Sequence, residues 1–148
     1  MIAQIENLDL SMVKMKLMDA EEGQGWKKEQ CDIAEKEYKR FLYLVHTHQN
    51  AVPTKAMDIV WHQHILDTRA YMEDSKLIFG EYLHHFPYFG MFGEDDHKNL
   101  EDSFELTKKR YRSAFGEDLD RVNGLLPDFN KCHTCRNSCS HCNRPLVS

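Results

Sequence analysis

The chain has 148 residues and a formal net charge of −5, with 41% apolar and 29% charged residues. This length suits one domain, and the composition is that of a globular protein rather than a disordered one. Residues 131–148 carry three cations and no acid, so the first 130 residues carry −8, which is the total of −5 less the +3 of the tail. Because an acidic body does not attract nucleic acid or an anionic membrane, we expect neither as a partner.

The N-terminal residues 1–7 lack the basic and apolar regions of a signal peptide, and no apolar run approaches the roughly 18 to 20 residues of a membrane span. We therefore expect a cytoplasmic protein without a membrane segment. In that reducing compartment, clustered cysteines are more often metal ligands than disulfides.

Helical periodicity dominates the first part of the chain. A short first helix is predicted from apolar residues at three- and four-residue spacing, although the alternation over residues 8–12 also fits a strand; these residues are Ile5, Leu8, Met12 and Met15. A second helix is predicted over about 27–45, with a core-facing stripe of Ala34, Tyr38, Phe41, Leu42 and Val45.

Three further helices follow. Thr54 is a candidate N-cap for a helix that continues to about residue 74. A helical piece over about 75–85 ends before Pro87, because the residue before a proline is pushed out of the helical region. The last helix spans about 95–115, and Gly116 stands where a C-terminal glycine cap belongs. The sequence thus predicts an all-α compact bundle of about five helices over 1–118, a linker over 119–131 and a Cys-rich tail over 132–148.

The tail contains a C-x2-C-x3-C-x2-C motif, formed by Cys132, Cys135, Cys139 and Cys142. Each C-x2-C pair can present two thiolates to one tetrahedral Zn(II), so the motif predicts a structural zinc site. Three residues between the pairs is a short insert, and His133 or His141 could replace a thiolate. The spacing of the last three cysteines also occurs in the iron–sulfur motif of radical enzymes, but this short helical chain cannot supply the large barrel of those enzymes. Free or oxidised thiols without a metal are the alternative.

A second set of candidate ligands lies in the centre of the chain. Asp58 and His62 are i,i+4 neighbours on the predicted helix and share a face. His62 falls on one stripe with Ile59 and Leu66, which predicts that it points inward. His64 lies about 200° around the helix and is expected to point the opposite way.

More ring nitrogens follow this helix. If the helices pack antiparallel, His62 can meet one of His84, His85 or His97. With Asp58, that would give a two-histidine, one-carboxylate set suited to Zn(II) or to Fe(II) with open positions. A buried His62 that is hydrogen-bonded to Asp58, without a metal, is the alternative.

These residues form a larger pattern. It consists of Asp58-x-x-Trp61-His62-x-His64-Ile65-Leu66-Asp67-Thr68-x-x-Tyr71, then Phe79-Gly80, His84-His85-Phe86-Pro87 and Tyr111-x-x-x-Phe115-Gly116. The pattern resembles the glycine-rich domain-containing protein-like family of plants and microbes, over roughly residues 26–118. The resemblance implies a compact helical domain and carries over no mechanism. The chain has 7 glycines and lacks the long glycine-rich region of the plant members, whereas its Cys-rich tail is similar to that of some bacterial members.

Three functions are compatible with the sequence. The first is a non-enzymatic metal-binding or accessory protein, with zinc in the tail and a protein or small ligand bound by the body. The second is a small zinc- or iron-dependent enzyme that uses the central histidines and Asp58. The third is a tail that serves as a peptide substrate for a modifying enzyme or as a thiol relay.

Overall fold

The computed structural model describes residues 1–124 and 126, and this part of the chain is helical without strands. The all-α prediction is confirmed, but the described residues form seven helices rather than about five. They are α1 (Ala3–Glu6), α2 (Ser11–Met18), α3 (Lys28–His48), α4 (Lys55–Leu66), α5 (Thr68–Phe79), α6 (Glu94–Phe115) and α7 (Leu119–Asn123).

Helix α3 lies at the centre of the fold and packs against α1, α2, α4 and α6. Its predicted stripe is buried, because each of its members is at most 8% exposed; they are Ala34, Tyr38, Phe41, Leu42 and Val45. The ring of Phe41 lies 5.0 Å from that of Trp61 on α4. The aromatic contact between α3 and α4 positions the helix that carries Asp58 and His62.

The N-terminal region differs from the prediction. Residues 7–10 are not helical and separate α1 from α2, so one helical stripe does not run through both helices. As a result Val13 and Leu17 are buried, whereas Met12 and Met15 are 64% and 61% exposed. The continuous stripe that joined these methionines to the earlier apolar residues is therefore wrong.

The region after Thr54 is also divided differently. Helix α4 ends at Leu66, because Asp67 has ψ 74° rather than the helical value of about −42°. Helix α5 then continues through to Phe79 and ends at Gly80, which has φ 77° and forms a left-handed C-cap. The predicted boundary near residue 74 and the helical piece to residue 85 are wrong, and residues 81–86 have no regular secondary structure.

Two predicted helix ends are confirmed. The Thr54 hydroxyl accepts a hydrogen bond from the Met57 amide at the start of α4, and Gly116 has φ 70° at the end of α6.

Helix α7 lies inside the stretch predicted as linker and packs on α6, with Leu119 and Val122 buried. Within the described residues, no helix has the length and apolar character needed to cross a membrane.

Candidate metal centre

Three potential metal ligands converge where α4 meets the segment after α5. His85 Nε2 lies 2.9 Å from Asp58 Oδ1 and 3.0 Å from His62 Nε2. His62 Nε2 lies 3.3 Å from Asp58 Oδ1, which closes the triangle. Asp58 and His62 share a face of α4 as the sequence predicts, and the third ligand is His85 from residues 81–86.

The three side chains differ in burial. Those of Asp58 and His85 are 7% and 8% exposed, whereas that of His62 is 53% exposed. The indole of Trp61 lies against His85, with ring centroids 4.1 Å apart. The centre is thus enclosed on the side of Asp58 and His85 and open to solvent at His62.

Hydrogen bonds cannot satisfy all three contacts at once. A neutral imidazole nitrogen either carries a proton and donates or lacks one and accepts, and an ionised carboxylate only accepts. If both Nε2 atoms carry protons, the 3.0 Å contact between His62 and His85 joins two donors. If His85 Nε2 lacks one, its 2.9 Å contact with Asp58 joins two acceptors. If only His62 Nε2 lacks a proton, its 3.3 Å contact with Asp58 joins two acceptors.

A divalent cation would make all three contacts favourable, because each atom would then direct a lone pair at the ion. Ligand bonds of about 2.0 to 2.2 Å separate neighbouring donors by about 2.8 to 3.1 Å in an octahedron and by about 3.3 to 3.6 Å in a tetrahedron. The observed distances of 2.9 and 3.0 Å fall in the octahedral range, and that of 3.3 Å lies at the lower end of the tetrahedral range. Two histidines and one carboxylate suit Zn(II) or Fe(II), so the residues fit a metal of this kind.

The carboxylate of this group carries its charge at neutral pH. Burial raises the pKa of Asp58, but hydrogen bonds and charge interactions with His62 and His85 lower it by more, so its pKa lies below the ordinary value. An ionised and nearly buried carboxylate has a strong electrostatic preference for a cation close by. The group therefore combines a suitable donor set with a local negative charge.

The other candidate histidines lie apart from this group. His84 is exposed and lines a neighbouring cavity of about 380 Å³, together with Trp61, Leu83 and Phe86. His97 is 41% exposed and pairs with Glu101 on α6, at 3.0 Å. Of the three histidines that could meet His62, neither His84 nor His97 therefore joins Asp58 and His62.

The orientations predicted for the two α4 histidines are reversed. His64 is the buried one, at 2% exposure, and its ring nitrogens bond to Tyr38 Oη and Asp74 Oδ2, each at 2.8 Å. His62 lies on the outer edge of α4 and is half exposed. The inward face of α4 includes Val60 and Trp61, so the stripe that contained His62 is the wrong one.

The sequence pattern includes Trp61 and Tyr71, but it did not predict that they support the centre. Trp61 Nε1 donates to Tyr71 Oη at 2.8 Å, and Tyr71 Oη donates to the Leu83 carbonyl at 2.5 Å. The available signal was a buried tryptophan and tyrosine, whose polar tips need partners in a core. The four tail cysteines, by contrast, lie outside the described residues; they are Cys132, Cys135, Cys139 and Cys142.

Comparison with known proteins identifies relatives but no matching fold. Glycine-rich domain-containing protein 1 of Arabidopsis thaliana is 31% identical over 85 residues, which cover 53% of this chain. The match spans only 10% of that plant protein, and no solved structure matches the chain. The sequence model of one family matches residues 3–123, which include the metal group formed by Asp58, His62 and His85. The chain therefore belongs to the UCP032817-like family.

Proposed function

We propose that this protein binds one divalent transition-metal ion, Zn(II) or Fe(II), through Asp58, His62 and His85. The observation that carries this proposal is the triangle of donor atoms, 2.9 to 3.3 Å apart, whose contacts no arrangement of imidazole protons satisfies while Asp58 is ionised. Around this centre the helical body has an accessory or ligand-binding role, and the cavity beside Trp61 is the place for a small ligand. Its volume of about 380 Å³ is within the range of small-molecule sites.

The proposal includes a second, structural zinc ion in the Cys-rich tail. Its support is the sequence alone: two C-x2-C pairs supply four thiolates, and the tail carries three cations and no acid. Cations near thiolates lower their pKa and so favour the ligating form. The two sites differ in ligand chemistry, since one offers sulfur and the other nitrogen and oxygen.

Metal content tests both sites in one set of proteins. In the tail-serine variant, every tail cysteine is replaced by serine, at Cys132, Cys135, Cys139 and Cys142. We expect about two equivalents of metal in the wild-type chain, about one in the tail-serine variant, and none when that variant also carries His85→Ala. Elemental analysis after purification without chelators measures the content.

The matched control is His84→Ala in the tail-serine variant. His84 is adjacent to His85 and exposed, but it lies outside the donor triangle. This control is expected to retain its one equivalent. A tail-serine variant that holds no metal, even after incubation with Zn(II) or Fe(II), contradicts the central site. Failure of wild type to hold more metal than the tail-serine variant contradicts the tail site.

A second candidate is a small metal-dependent enzyme, and the exposure of His62 favours it. Three protein ligands with one half-open side leave coordination positions for water or substrate, as catalytic sites require and structural zinc sites do not. When bound at such a site, a divalent ion supplies Lewis-acid activation of water or of a carbonyl group. Trp61 and Leu83 connect the centre to the neighbouring cavity, where a substrate could bind.

Exogenous ligand binding separates the two candidates. The tail-serine variant is loaded with Co(II), whose visible absorption spectrum reports its coordination, and azide is added. A saturable spectral change is expected if a position is open to small molecules. A spectrum that azide leaves unchanged indicates a closed site and removes the support for catalysis.

A further inference from the structure

The metal group depends on a segment that has no regular secondary structure. Asp58 and His62 are fixed by α4, but His85 belongs to residues 81–86, which follow the end of α5 at Gly80. Its Nε2 nevertheless lies about as close to the two α4 donors as they lie to each other. Since donor atoms must be placed to within a fraction of an ångström, other contacts have to hold this segment against α4.

One buried hydroxyl joins the two segments that carry the ligands. Tyr71, on α5, is 1% exposed, and its Oη donates to the carbonyl of Leu83, two residues before His85. The same oxygen accepts a hydrogen bond from Nε1 of Trp61, the residue directly before His62. In the described part of the chain, the bond to Leu83 is the hydrogen bond that links the main chain of residues 81–86 to a helix.

The Trp61 ring completes this arrangement. Its centroid lies 4.1 Å from that of His85, so the indole that bonds to Tyr71 also forms the wall against which the imidazole packs. Burial raises the pKa of Tyr71 to about 12, so its hydroxyl keeps the proton that it donates to Leu83 at neutral pH. The main-chain bond at Leu83 and the ring contact at His85 thus both hold the segment that carries the third ligand.

We propose that Tyr71 is a positioning residue for the metal centre: its hydroxyl holds the Leu83 carbonyl and the Trp61 indole together, so that His85 closes the donor triangle. The inference rests on the proposed function, because it concerns the same centre. Tyr71 does not contact the metal in this account. Its effect is to make His85 available as a ligand without an ordering cost at the moment of binding.

The test compares two tyrosine-to-phenylalanine substitutions in the tail-serine variant. Tyr71→Phe removes the hydroxyl that bonds to Leu83 and Trp61. The matched control is Tyr111→Phe. Tyr111 lies on α6 and is as buried as Tyr71, and its hydroxyl donates to Glu37 Oε2 and accepts from Arg40, each at 2.6 Å. Both changes remove a buried hydroxyl that donates one hydrogen bond and also accepts, and only the first touches the segment of His85.

Zinc affinity is measured by competition with a chromophoric chelator. We expect Tyr71→Phe to weaken binding by about 10- to 100-fold, the loss typical of groups that orient metal ligands. Tyr111→Phe is expected to leave the affinity of the tail-serine variant unchanged. If Tyr71→Phe is partly unfolded, the rise of its unfolding midpoint with zinc concentration still gives the affinity of the folded state.

The outcomes separate this inference from the proposed function. Unchanged affinity in Tyr71→Phe, or an equal loss in Tyr111→Phe, overturns the role of Tyr71 while the metal centre stands. If the tail-serine variant itself binds neither Zn(II) nor Fe(II), the proposed function is overturned, whatever the tyrosine variants do.

Discussion

Zinc binding at the central site should stabilise the fold, and His62→Ala should remove that effect at little cost to the metal-free protein. His62 is 53% exposed, and its substitution should change the free energy of unfolding of the metal-free chain by no more than about 0.5 kcal/mol. At a free zinc concentration of about 100 times Kd, binding stabilises the folded state by about 2.7 kcal/mol, which raises the Tm of a domain of this size by about 5 to 11 °C.

If loss of the ligand weakens binding by about 100-fold, the same zinc concentration stabilises His62→Ala by only about 0.4 kcal/mol, or about 1 to 2 °C. Thermal unfolding by circular dichroism, in the tail-serine variant with and without zinc, measures both quantities. His97→Ala is the control, since His97 is 41% exposed and lies outside the donor triangle. If zinc raises the Tm of His62→Ala as much as that of the tail-serine variant, or no longer raises the Tm of His97→Ala, His62 is not the ligand that we propose.

Three further predictions concern the scaffold. Tyr38→Phe leaves His64 Nδ1 without its buried partner and should lower the free energy of unfolding by about 1 to 3 kcal/mol in urea titrations, so a loss well under that range would contradict the role of this bond. Burial raises the pKa of Glu37, so wild type should lose stability relative to Glu37→Gln as the pH rises from the ordinary value of 4.5 through the raised pKa. Urea titrations at about pH 4 and pH 7 measure the stability of wild type minus that of Glu37→Gln, and a value that stays constant or increases with pH would contradict the prediction. Gly80→Ala should cost about 1 to 2 kcal/mol, because Gly80 has φ 77° and open space around it, and a neutral result would show that the left-handed cap is not needed.

Local sequence signals located the helix ends that depend on a single residue. The Thr54 hydroxyl caps α4 and Gly116 ends α6, because each effect arises from the residue's own side chain or backbone freedom. The break at Asp67 was missed, although aspartate is unfavourable in helix interiors and preferred at the N-cap, the position that Asp67 takes in α5. The helix predicted to continue to about residue 74 therefore joined α4 to the first part of α5.

The choice between the faces of α4 shows a second limit. A stripe through Ile59 and Leu66 placed His62 inward, but Val60 and Trp61 mark a competing stripe that also contains His64. Trp61 packs on the aromatic surface of α3, and this tertiary contact decides which stripe is buried. Weighting the largest apolar side chain most heavily would have predicted the buried histidine correctly.

The assembly of the metal group was predictable only in part. The i,i+4 spacing placed Asp58 and His62 on one face, because helix geometry fixes that relation. The third ligand depends on how residues 81–86 return to α4, and a segment without periodicity contains no information about that path. Three histidines were therefore equivalent in the sequence, and the contacts of Tyr71 and Trp61 distinguish His85 from the others.

We expect one ion to bind between Asp58, His62 and His85. An anomalous difference map, from crystals of the tail-serine variant grown with zinc and measured at the zinc absorption edge, locates that ion. A single strong peak should lie about 2.0 to 2.2 Å from Asp58 Oδ1 and from Nε2 of both histidines. A map without a peak there, in zinc-saturated crystals, would contradict it.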